Sequence, residues 1–260
     1  MPRIPKRTVV LIEATAGFLA VWEVFCRLFR VPDYLLPPPS AIFVEFWSAL
    51  GWYLMQAGYT LLTTMAGFGL ALVIGFVAAL GIVYSKFLEN TLYALLVSTN
   101  SIPKIALAPL FIVWLGTGAQ AKVAVSFLIA LFAIVVDTVL GLRSADPGAL
   151  ELMKTMRSTR LQVLLMIRLP NALPYMFAGM KVAISLSLVG AIAGEFVASQ
   201  DGLGFVILQA QGQFQTSRVF VAILLLGVIG TLLFMLVSAL ERLICPWHVS
   251  QRITTGEAGV

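Results

Sequence analysis

The sequence predicts an all-α, polytopic membrane protein with six transmembrane helices. Three observations carry this. Hydrophobic residues make up 60% of the 260 residues and charged residues 11%, against roughly 45–50% and about 25% in soluble domains. Six runs are long and apolar enough to span a bilayer, which takes about 20 residues. Basic residues gather in alternate connections between those runs. So few charges cannot cover a soluble surface, which excludes disordered, collagen-like and nucleic-acid-binding proteins. Two cysteines exclude a disulfide scaffold, and the single histidine, His248, excludes most His-based metal sites.

The six runs are 8–29, 57–83, 91–115, 120–141, 175–198 and 217–243. Arg3, Lys6 and Arg7 before the first run would also suit a cleavable signal peptide. The length of that run, and Glu13 and Glu23 within it, favour an uncleaved first span. Orientation follows from the cations. With the N-terminus inside, the inner segments hold Arg3, Lys6, Arg7, Lys86, Arg143, Lys154, Arg157, Arg160, Arg168, Arg242 and Arg252. The outer segments hold only Arg27, Arg30, Lys122 and Arg218. Both termini are therefore expected in the cytoplasm. Cys26 then lies at the outer end of span one and Cys245 at the inner end of span six, so they cannot pair within one chain. Both read as buried apolar thiols.

The expected organisation is a cytoplasmic N-tail and first span (1–30), an external connection (31–56), a five-span core (57–243) and a cytoplasmic tail (244–260). The external connection carries Pro37, Pro38 and Pro39, then an aromatic-rich stretch with Phe43, Phe46, Trp47, Trp52 and Tyr53. Such a stretch reads as an amphipathic helix lying in the membrane interface. Within the core, Gly67, Ala71, Gly75 and Ala79 recur every four residues, and Ala183, Ser187, Ala191, Gly190 and Gly194 repeat the device in span five. Small residues on one face allow close helix–helix approach; the pattern leaves open whether the partner helix is in the same chain.

Span three is irregular. Pro103 and Pro109 free the carbonyls of Thr99 and Ile105, and freed carbonyls are tolerated at membrane depth only against protein or water. Ser98, Thr99, Asn100, Ser101 and Lys104 cluster at the same break. An ammonium near the midplane needs a partner or a wet cavity. These residues, with Glu195 towards the outer end of span five, are the candidate lining of a translocation path. A kinked helix with Lys104 paired to Asp137 or another buried acid is the alternative, and the two are compatible.

The inner connection, 142–174, is the largest cytoplasmic segment. Asp146-Pro147 reads as an N-cap with proline at the first helical position, opening a short helix to about Met156. Thr159 and Gln162 suit a capping box for a second short helix, which is expected to stop before Pro170, with Pro174 opening span five. Two short helices meeting at Arg157-Ser158 would form a compact docking knob.

This loop resembles the EAA loop of ABC importer permeases. Glu151-Leu152-Met153, then Arg157, then Ile167-Arg168-Leu169-Pro170 match its spacing, with leucine and methionine for its two alanines and arginine for its glycine. The stretch from Ile102 to Leu110 with Trp114-Leu115-Gly116-Thr117-Gly118, then Asp137-Thr138, Gly141-Leu142-Arg143 and Asn171-Ala172-Leu173-Pro174, resembles the nitrate/taurine/sulfonate-type permeases. Asp137 stands where that family usually has asparagine. Gly194-Glu195-Phe196-Val197 and Gly202-Leu203-Gly204 look most like the branch carrying thiamine-precursor pyrimidines and riboflavin.

The resemblance implies a type I ABC importer permease fold in a bacterial inner membrane. It implies a second copy of the permease, two cytoplasmic ATP-binding subunits, an external solute-binding protein and surrounding lipid. Glu151, Leu152, Met153, Arg157, Arg160 and Pro170 would couple to the ATPase. No cofactor belongs to this chain: it has no Gly-x-x-x-x-Gly-Lys-Ser/Thr segment to hold ATP phosphates. A self-sufficient secondary transporter or channel would call for inverted repeats and coupling-ion chemistry, and no internal repeat is visible. An intramembrane enzyme would need a metal cluster or a nucleophile–base pair, and His248 in the tail cannot serve Ser185 or Ser187.

Overall fold

The computed structural model describes residues 6–93, 95, 96, 98 and 102–247. Among them every regular element is helical. The helices are α1 (Lys6–Leu28), α2 (Pro39–Ser48), α3 (Leu50–Tyr84), α4 (Lys86–Leu88), α5 (Ala108–Leu115) and α6 (Ala119–Arg143). They continue with α7 (Pro147–Thr155), α8 (Arg160–Val163), α9 (Leu169–Ala198), α10 (Leu203–Gly212) and α11 (Thr216–Ile244). Four stretches are long and apolar enough to cross a membrane: Leu50–Tyr84, Ala119–Arg143, Arg160–Val197 and Thr216–Ile244.

Four expectations need correction. The second run does not begin at 57: α3 starts at Leu50 and continues through Gly51 and Gly58, with no proline to interrupt its ladder. The third run is not one helix. Among its described residues a π-turn over Glu89–Tyr93, helical residues at 95, 96 and 98, a 3-10 turn over Lys104–Leu107 and the eight residues of α5 take its place. Pro103 and Pro109, which cannot donate to a helical ladder, flank the 3-10 turn. The short helix after Thr159 does not stop before Pro170. The chain stays helical from Arg160 to Ala198 through a π-turn over Leu164–Arg168. Leu169 N–H reaches back to the Leu164 carbonyl, and this wider ladder makes room for the proline ring one residue later. Pro174 lies inside α9 rather than opening it. The ten-residue helix α10 has no counterpart among the expected elements.

The chain divides into two compact units: Met1–Tyr59 with Gln200–Gly227, and Thr60–Ser199 with Val228–Val260. In the first, α2 follows Pro38, whose side chain offers no cap. Glu23 of α1 takes that role, accepting the Ser40 N–H at 3.0 Å and the Ser40 hydroxyl at 2.8 Å, while Arg27 Nε donates to Glu23 at 2.7 Å. Helix α2 buries Ile42 and exposes Phe43, Val44 and Trp47; Trp52 and Tyr53, expected in the same stretch, belong instead to α3, where Tyr53 is fully buried. Glu45 of α2 accepts from the Tyr53 hydroxyl at 3.1 Å and from Arg218 Nε at 2.9 Å. Gly202, at φ 104, precedes α10 and donates its N–H to Gln56 Oε1. A side chain there would strain that turn.

In the second unit α6 is packed against both α3 and α9, and glycines set the approach. A Cβ at Gly67 would lie 2.5 Å from Ser126 Cβ, and one at Gly190 would lie 2.6 Å from Ser126 Cα. The small-residue stripes therefore face a helix of the same chain. A polar knot pins the seam: Ser187 Oγ donates to the Thr64 carbonyl at 2.9 Å, and Ser126 Oγ lies 2.6 Å from Ser187 Oγ. All three side chains are fully buried. Around the knot Phe68, Ala71, Ala130, Ile134, Phe177 and Ile184 form the apolar core, joined by Leu233 and Val237 of α11.

Candidate functional site

The loop 142–174 is built by local chemistry. Asp146 accepts the Ala149 N–H at 2.8 Å and caps α7. The helix ends in a Schellman arrangement, with Ser158 N–H to the Met153 carbonyl and Arg157 N–H to the Lys154 carbonyl, both at 3.0 Å. Arg157 occupies the left-handed position at φ 54. That position is usually glycine's, and a side chain there costs roughly 1–2 kcal/mol. Thr159 then opens α8 with the expected capping box: Gln162 Oε1 accepts the Thr159 N–H at 2.8 Å, and Thr159 Oγ1 accepts the Gln162 N–H at 3.3 Å. The short helix α7 thus meets the start of the long helical stretch from Arg160 at Arg157-Ser158, and the turn keeps the left-handed geometry without a glycine.

The candidate docking residues separate by burial. Glu151, Arg157 and Arg160 are exposed, and Leu152 is 61% exposed. Met153 is buried within the loop, where its sulfur takes the Ser158 hydroxyl at 3.5 Å. Pro170 is half-buried in the first turn of α9. Behind the loop, Asn171 Nδ2 donates to Ser144 Oγ at 2.7 Å, tying the start of α9 to the end of α6. Arg168 stacks over the Tyr84 ring at 5.6 Å, and Arg143 pairs with Glu89 at 2.8 Å.

Of the candidate path residues, Ser98, Lys104 and Glu195 are among those described. Ser98 is exposed; Thr99, Asn100 and Ser101 lie outside the described residues. Lys104 opens the 3-10 turn, half-buried, with its Nζ 5.5 Å from the centre of the Phe132 ring. Glu195, 1% exposed, accepts the Thr60 hydroxyl at 2.9 Å. Lys122 is buried where α6 meets Gly194 of α9. Among the described residues no group of three His, Cys, Asp or Glu side chains is placed to hold a metal ion.

Sequence reasoning missed the charged contacts between distant positions, and one of them joins two long helices. Lys181 Nζ of α9 bonds Glu241 Oε2 of α11. Lys181 was visible as a cation within a span, and Glu241 as an acid in the last turn of another. Sixty residues separate them, so only the fold pairs them. Next to this pair, Cys245 is buried beyond the end of α11. Burial, and secondarily the Glu241 carboxylate, push its thiol above the ordinary range.

A family model described as "Binding-protein-dependent transport system inner membrane component" matches residues 71–244. The chain is 34% identical over 252 residues to a formylaminopyrimidine transport permease protein of Halalkalibacterium halodurans, covering 95% of this chain and all of that one. It is 36% identical over 234 residues to a riboflavin transport system permease protein of Chloroflexus aurantiacus, covering 89% and 87%. A putative aliphatic sulfonates transport permease protein of Bacillus subtilis is 29% identical over 241 residues, covering 90% and 86%. Among solved structures, an inward-facing MetNI methionine ABC transporter matches with a TM-score of 0.65 at 22% identity, over 74% of this chain and 96% of that one. That likeness is one of fold.

Proposed function

Because the chain belongs to the family of binding-protein-dependent transport system inner membrane components, we propose that it is the membrane-spanning subunit of an ATP-driven importer for a small heterocyclic solute. It is a transport component and not an enzyme, as its relatives are permease proteins. The single observation that carries the ATP-driven reading is the rigid elbow at Arg157. Capped helices on both sides of a strained turn make a stiff exposed lever, and the chain has no phosphate-binding loop of its own. A separate cytoplasmic ATPase supplies the work.

In this reading the chain crosses the membrane six times, with α1 as the first span and the broken segment from Lys86 to Leu115 as the third. Both termini are cytoplasmic. Two copies enclose a shared pore, in the cyclic symmetry common to oligomers. An external binding protein delivers the solute, which passes Ser98, Thr99, Asn100, Ser101 and Lys104, with Glu195 near the outer end. Leu152, Glu151, Arg157 and Arg160 meet the ATPase. Met153 and Pro170 support them from beneath. ATP binding closes the ATPases, moves the two levers and exchanges inward- for outward-facing access.

The pyrimidine and riboflavin permeases among the relatives support a heterocycle as substrate. The likeness to a sulfonate permease supports an alkanesulfonate as the second reading. The test is uptake into proteoliposomes holding this chain, its ATPase and its binding protein. We expect ATP-dependent uptake of a labelled aminopyrimidine or flavin, and none without the ATPase. Uptake by the chain alone would make it a secondary transporter or channel and overturn the reading.

A further inference from the structure

We propose that the tip of the 142–174 loop is an electrostatic key, centred on Arg157, that selects an ATPase whose docking groove presents carboxylates. The inference rests on reading this loop as the ATPase-docking element. Arg157 holds the left-handed C′ position of a Schellman turn, at φ 54, where glycine would be unstrained. An exposed side chain kept at a strained position, and fixed in direction by two backbone hydrogen bonds, points to a recognition role. Lys154 and Arg160 are exposed beside it, and Glu151 is the one acid from 151 to 160. Among the described residues no carboxylate pairs with Arg157.

The apolar part of the surface completes the pattern. Leu152 and Met156 stand four residues apart on one face of α7 and its cap, 61% and 67% exposed, and Leu161 of α8 is 62% exposed. Apolar side chains bordered by cations are what a protein groove with an acidic rim recognises: the leucines and methionine supply contact area, and the charges supply selection. A guanidinium fork binds a carboxylate by two parallel hydrogen bonds, which a lysine cannot reproduce.

The test uses the permease in lipid nanodiscs with its ATPase. Arg157→Gly relieves the backbone strain, so the unfolding temperature of the permease rises or holds. The same variant weakens ATPase binding by about tenfold. Arg157→Lys falls between, Arg157→Glu weakens binding further, and raising salt narrows all the differences. Unchanged ATPase affinity in Arg157→Gly overturns the proposal. Leu152→Asp separates the two levels of the reading. If it abolishes binding while Arg157→Gly does not, the loop docks the ATPase but Arg157 does not select it. If neither variant changes ATPase binding, the docking reading falls as well. If Arg157→Gly instead loses affinity only for vesicles rich in anionic phospholipid, the tip serves the inner leaflet, and the proposal is overturned.

Discussion

Lys181 on α9 and Glu241 on α11 form an ion pair that ties the last membrane helix to the core of its unit. Glu241 is almost fully buried and Lys181 half-buried. Removing one member of such a pair leaves a charge without compensation in a low-dielectric surrounding. Lys181→Ala or Glu241→Ala should cost roughly 3 kcal/mol, the low end for a buried pair because Lys181 keeps some exposure. The exchange Lys181→Glu with Glu241→Lys should recover most of the loss. Thermal unfolding in one detergent reads this directly. Equal stability in the single variants and the parent would show that the pair contributes nothing.

The seam at Ser126 makes a second prediction. Two glycines from different helices, Gly67 and Gly190, abut one serine. Gly67→Ala and Gly190→Ala place a methyl group where a backbone or Cβ already lies, and α6 must shift to admit it. Overpacking of this kind costs about 1–3 kcal/mol, and the double variant should cost less than the sum, because one displacement of α6 relieves both clashes. Strictly additive losses would mean that the two contacts yield independently. Gly69→Ala on the same helix, with open space at its Cβ, is the matched control and should hold or gain stability.

Local chemistry made part of this legible in advance. The Asp146 and Thr159 caps and the break at Arg157 follow from residues within four positions of one another, and the extents of α6 and α11 from unbroken apolar runs. The stop expected at Pro170 did not survive, because the rule that a proline ends a helix assumes a regular four-residue ladder, and the π-turn over Leu164–Arg168 is not regular. Contacts between distant positions were out of reach. Nothing in the sequence around Ser40 announces that Glu23, seventeen residues earlier, caps α2. In the same way the stripe on α3 declared close packing without naming its partner, which only the fold supplies as α6.

The two thiols yield a third prediction. Cys26 and Cys245 are both buried, and Cys245 is raised above the ordinary thiol range by burial and by Glu241. The thiolate is the reactive form. A raised pKa lowers the thiolate fraction at any pH below it, so the effect and the burial act in the same direction. In the folded chain, labelling of Cys245 by a water-soluble maleimide should stay near zero at pH 7 and 8. It should become complete only after unfolding. Rapid labelling at pH 7 would show that the segment after α11 opens readily.

That silence makes the translocation segment testable. Among the described residues between Glu89 and Leu115, regular helix gives way to a π-turn over Glu89–Tyr93 and to a 3-10 turn over Lys104–Leu107. Such backbone is stable at membrane depth only against protein or water, never against lipid. The hydroxyl and amide side chains from Ser98 to Ser101 fall between the two breaks, and Lys104 begins the second. We expect these side chains to face a water-filled chamber that opens to one side and then the other. Single cysteines at Ser98, Asn100 and Ser101, in a chain with Cys26 and Cys245 replaced by alanine, should react with an impermeant thiol reagent. With ATP and the partner ATPase present, the side of the membrane from which they react should change. Reaction that never varies with ATP would describe an open cleft rather than a gated path. No reaction from either side would place the polar segment in sealed core and move the pathway elsewhere in the bundle.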